Sequence, residues 1–129
     1  MDKWLLRLIG GLHLINGAAM WAAPAFWYAQ TLGVAMTGPF NAHFVKDIGL
    51  IYLLSGAALI FGYLRSDPTA LVLGAAWPAM HAAFHFWMWL ARGMPVDGVA
   101  IVNLCGIQLP AWTALFIAIR FVQKGNAKC

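Results

Sequence analysis

The chain contains no glutamate, four aspartates and two cysteines in 129 residues. Without glutamate there are no Glu-x-x-His pairs, which excludes a ferritin-type carboxylate di-metal centre. The zinc-protease helix, with Glu between two histidines, is excluded for the same reason. Cys105 sits in an apolar segment and Cys129 is the last residue. Two thiols so placed build no disulfide framework, and neither is expected in a structural bridge. Charge is the scarcest commodity of all. Asp, Lys and Arg make up 9% of the chain, against roughly a quarter charged residues in an ordinary soluble domain. The net charge of +4 is therefore no argument for nucleic-acid binding, and the composition is the opposite of a disordered chain.

What fills the chain instead is apolar: 63% of residues are hydrophobic and the mean hydropathy is +0.76. A single membrane domain over residues 1–129 follows. Four apolar segments, approximately 4–23, 44–64, 69–91 and 99–122, each reach the ~20 residues needed to cross an acyl core of about 30 Å. The expected fold is all-α, a four-helix up-down bundle in the membrane. Lys3 and Arg7 followed by an apolar run imitate a signal peptide, but the segment is read as the first transmembrane helix. Its Gly10, Gly11, Asn16 and Gly17 suit close packing on neighbours, as do Gly49, Gly56, Gly62, Ser55, Ala57 and Ala58 in the second segment. No hexad, heptad or longer repeat stands out. Pro68 suits the first turn of the third helix, whereas Pro78 and Pro110 fall inside the third and fourth. Pro78 should kink its helix or free a backbone carbonyl. The uncharged first loop carries Phe26, Trp27 and Tyr28, which predicts an interfacial connection with a short helix over 25–32.

Charge placement predicts orientation. Lys3, Arg7, Arg65, Arg120, Lys124 and Lys128 fall on the side of the termini, against Lys46 and Arg92 on the other. By the positive-inside rule both termini are cytoplasmic. At about 1.5 Å per residue, His13, Asn16, His43, Asp47, His81, His85, Asn103 and Gln108 all fall in the outer half. Polar side chains inside a membrane face protein, water or a ligand, so this asymmetry is the main functional clue.

His81 and His85 share one helix face, with Met88 three residues further along; His43 and Asp47 share another. Together His43, Asp47, His81, His85 and Met88 form a candidate transition-metal set. His13 opposite His81 is a candidate haem pair, which puts His13, His43, Asp47, His81 and His85 forward as cofactor ligands. Asp47 and His81 are the leading candidates for acid–base catalysis, although no nucleophile stands beside them. Asn16, Trp77, Phe84, Trp87, Asn103 and Gln108 are candidates to line a pocket for a small hydrophobic ligand. Each has a plainer reading: Asp47 pairing with a histidine, amides bridging helices, aromatics forming a membrane belt, and Lys46 snorkelling outward.

The span count, the size and the long first loop resemble the small four-helix bacterial membrane proteins called DoxX-like. The stretches Asn41-Ala42-His43-Phe44-Val45-Lys46-Asp47-Ile48-Gly49 and His81 to His85 also look like the distinctive parts of an uncharacterised bacterial membrane family. The resemblance implies a multi-pass protein of the bacterial inner membrane and assigns no catalytic residue. Four functions stay open: an outer-half His/Asp site for a metal, haem or hydrophobic ligand; an accessory or assembly subunit of a larger membrane complex with a purely structural polar network; a membrane enzyme; and a transporter working as a homo-oligomer.

Overall fold

The computed structural model describes residues 3–126. Lys128 and Cys129 lie outside the described residues, as do the side chains of Lys3 and Lys124. The fold is all-α: α1 (Lys3–Ala22), α2 (Pro24–Gln30), α3 (Ala42–Arg65), α4 (Pro68–Ala91), α5 (Gly98–Asn103) and α6 (Leu109–Asn126). A π-helical turn (Leu104–Gln108) joins α5 to α6 without a break, so the described chain forms five helical bodies, not the expected four. The fifth is α2. Pro24 opens it from the first turn, where the missing N–H costs nothing, and Trp27 anchors it to α1.

Three stretches, Trp4–Ala22, Ala42–Arg65 and Gly98–Gln123, are long and apolar enough to cross a membrane. Helix α4 is as long as α3, at 24 residues. Its two histidines, two prolines and three tryptophans interrupt the apolar run, and α4 is not among those three stretches. The long helices follow one another antiparallel. Gly10 of α1 faces Gly56 and Ile60 of α3 while Gly17 faces Gly49 and Leu53; Gly62 of α3 faces Leu71 of α4, and Gly74 faces Leu59. Ala82 of α4 meets Gln108 just before α6. Both ends of the described chain therefore lie at one end of the bundle, with the α3–α4 turn; α2 and the α4–α5 loop lie at the other.

Two of the scarce aspartates start helices. Asp67 accepts from the amides of Thr69 and Ala70 at 2.9 and 3.1 Å, and Asp97 accepts from Ala100 at 2.8 Å; Asn41 does the same for Phe44 at 3.1 Å. The Ala100 amide, then Arg92 beside it, hold the Asp97 carboxyl below its usual range. Arg92 reaches Asp97 at 2.7 Å and the Trp89 indole donates to the Pro95 carbonyl at 3.0 Å, so the α4–α5 loop is tied at both ends.

The interior is divided by polarity. At the terminal end Leu6, Ile9, Leu59, Leu71, Ala75 and Ile117 form a wholly apolar core to which α1, α3, α4 and α6 all contribute. At the α2 end Met20, Val45 and Tyr52 pack with Trp27, Ile48 and Trp77, and here the polar side chains collect.

Candidate functional site

The polar core begins with a proline. Pro78 has no N–H to give the Gly74 carbonyl one turn back, and in a membrane that carbonyl needs another donor. Ser55 of α3 supplies it: its hydroxyl donates to the Gly74 oxygen at 2.5 Å. Gly74 lets the helices approach this closely, since a Cβ there would lie 2.9 Å from the Leu59 amide nitrogen. The single Ser55 proton is thereby committed, so Ser55 Oγ accepts from His13 Nδ1–H, 3.1 Å away. The relay His13–Ser55–Gly74 ties α1, α3 and α4 together. His13 is only 6% exposed and its ring meets the edge of Tyr52.

Two further amides bridge elements. Asn16 accepts from the Trp27 indole at 2.9 Å, holding α2 on α1. Gln108 donates to the Ala82 carbonyl of α4 at 2.8 Å and to Asn103 at 3.2 Å, and its own oxygen accepts from the Trp112 indole at 2.9 Å. Gln108 closes the π-helical turn, where the Leu109 amide reaches back to the Leu104 carbonyl; Pro110 follows directly and cannot donate.

A file of rings extends from the relay along α4. Tyr52 lies edge-on to Trp77 at 5.2 Å between centroids. Trp77 stacks on His81 at 4.9 Å, and His81 meets His85 at 4.4 Å. Phe84 touches His85 but stacks on Trp87, and Phe84 and Trp87 lie on the exposed surface. Met88 is half-buried.

The expected four-residue His/Asp set does not assemble. His43 pairs with Asp47 at 2.8 Å, but their side chains are 85% and 56% exposed. The buried stripe of α3 runs through Val45, Gly49 and Tyr52; Asp47 is two residues from the first two, about 200° around the helix, and so points away. Among the described residues no three His, Cys, Asp or Glu side chains are grouped so as to hold a metal ion. The two histidines put forward as a haem pair, His13 and His81, have the Tyr52 ring as a shared neighbour, and His13 is committed to Ser55. Lys46 does not reach simply for water; its ammonium lies over the Trp21 ring at 5.1 Å.

Ser55 and Tyr52 were not singled out by sequence as site residues. The signal for Ser55 lay in Pro78, which frees the carbonyl that Ser55 takes. Tyr52 had a weaker one, at seven-residue spacing from Val45 and Leu59 on the buried stripe.

No family model, curated protein or solved structure matches this chain.

Proposed function

We propose that this protein is an accessory or assembly subunit of a larger membrane complex, crossing the membrane four times with both termini cytoplasmic. The observation that carries this reading is the fate of the buried polar groups. Among the described residues, no buried side-chain nitrogen or oxygen lacks a hydrogen-bond partner. His13, Ser55, Asn16 and Gln108 hold helices to one another. Polar bonds used this way set helix register in a membrane, and among the described residues no group of three His, Cys, Asp or Glu is placed to hold a metal ion. A bacterial inner-membrane setting, which the resemblance to small bacterial four-helix proteins implies, is part of this reading.

The test is extraction in a mild detergent followed by native mass measurement of the intact assembly. The expected result is a complex of fixed stoichiometry containing this chain and a different membrane protein, whose abundance falls when this chain is deleted. Recovery solely as the 14.1 kDa chain or its homo-oligomers, in cells holding normal levels of every other membrane protein, overturns the reading.

A further inference from the structure

Three polar side chains stand outside the network. The Tyr52 hydroxyl and the ring nitrogens of His81 and His85 make no hydrogen bond with the described residues, yet none is sealed off from outside. The three rings touch one another, Tyr52 on His81 and His81 on His85. A neutral imidazole carries one donor and one acceptor, and a phenol carries both. In an apolar setting such groups call for a polar partner, because leaving them unmatched costs several kcal/mol in hydrocarbon.

An open apolar groove of about 560 Å³ runs along the α3–α4 seam next to them, lined by Ile51, Ser55, Ala58, Leu73, Gly74 and Trp77. The Ser55 proton is already given to Gly74, so the groove offers almost nothing to a polar molecule. Trp77 is the shared wall: it lines the groove and stacks on His81. On α4, Gly74, Trp77, His81 and His85 follow at three- and four-residue steps along one face. The seam thus passes from an almost wholly apolar trough to a cluster of hydrogen-bonding rings. No Asp, Lys or Arg occurs anywhere in α4, so nothing on that helix balances a charged ligand. Asp47, the acid of the neighbouring helix, is turned to His43.

We propose that this seam binds an uncharged single-chain lipid, its tail in the α3–α4 groove and its head oxygen hydrogen-bonded to His81 and His85 beside Tyr52. The head is a carbonyl, as in a quinone, or a hydroxyl, as in a long-chain alcohol; both offer the oxygen acceptor that an imidazole N–H requires.

The experiment uses the purified full chain in detergent, with adducts counted by native mass spectrometry. The probes are a benzoquinone bearing a decyl tail, decanol, and decylbenzene, which has a tail and no oxygen. The expected result is saturable uptake of one oxygen-bearing probe, the tighter of the first two identifying the head. H81A/H85A should weaken it about tenfold or more, as loss of one or two hydrogen bonds predicts. A57F, at an exposed groove-lining position, should abolish uptake by filling the trough while sparing the core. H43A should change nothing, and decylbenzene should bind wild type and H81A/H85A alike. No saturable uptake of either oxygen-bearing probe by wild type overturns the proposal. So does equal affinity for wild type and H81A/H85A, or full binding to a folded A57F protein. Because the chain is assayed alone, this result is independent of whether it belongs to a larger complex.

Discussion

At the scale of single residues, a missing proton donor organises the middle of the bundle. Pro78 withholds an N–H from Gly74, Ser55 replaces it, and His13 completes the relay. A coupling between positions 55 and 78 follows. S55A leaves the Gly74 carbonyl and the His13 N–H without partners, and should cost about 1–3 kcal/mol, toward the lower figure if the unfolded chain in the membrane finds other partners. P78A restores the backbone donor. It should therefore be less damaging in the S55A background than in wild type, by about 1 kcal/mol. Unfolding by SDS titration in mixed micelles of the four proteins measures this cycle; additivity within about 0.3–0.5 kcal/mol would remove the relay from the account. Half of this was readable from the sequence, since a proline inside a helix always frees a carbonyl. Which side chain takes that carbonyl was not, because it depends on the register of α3 against α4.

Register is a property of elements, and here it is written in glycine. Gly10 and Gly17 are seven residues apart on α1, as are Gly49 and Gly56 on α3. Run antiparallel, the two pairs interlock: a Cβ on Gly17 would lie 2.6 Å from the Gly49 carbonyl oxygen, and one on Gly56 would lie 2.6 Å from that of Gly10. The sequence showed small residues on both helices, but a two-point seven-residue spacing on each becomes a pattern only when the helices are laid together. G17A and G56A should each destabilise the protein by about 1–3 kcal/mol, the usual range for overpacking. G11A is the matched control. Nothing lies within 4 Å of a Cβ at Gly11, so the change should be neutral or favourable by up to about 1 kcal/mol through helix propensity. The same SDS titration separates these outcomes, and equal loss in G11A and G56A would show that contact is not what the glycines provide. The misplaced metal set belongs to this scale too. Spacing put His43 beside Asp47 correctly, but i,i+4 spacing says nothing about which way the shared face points. That is decided by Val45, Gly49 and Tyr52 on the other side of α3.

For the whole molecule, the apolar composition and four hydrophobic segments made the all-α membrane architecture legible, and the aromatic run of the uncharged first loop pointed to the short helix found at Pro24–Gln30. Orientation rests on charge counts and the antiparallel order. That order places the α3–α4 turn with the termini and the α4–α5 loop at the opposite end. Ser66 and Val96 mark the two ends, both exposed, Val96 at 94%. With Cys105 and Cys129 replaced by serine, S66C and V96C report which side each turn occupies. The positive-inside rule predicts that a membrane-impermeant maleimide labels V96C in intact cells, reached through the outer membrane, and labels S66C only once the inner membrane is opened. The reverse pattern would keep the antiparallel bundle and invert it in the membrane. The Tyr52, His81 and His85 end would then face the cytoplasm, and the lipid-binding seam would open from the inner leaflet. Labelling of both cysteines in intact cells would instead require an even number of crossings between them, with α4 staying on one side. Helix α4 is the only long helix between those positions and is absent from the three stretches apolar enough to span. The expected pair, one labelled and one protected, is therefore also the direct test that α4 crosses the membrane despite its histidines and prolines.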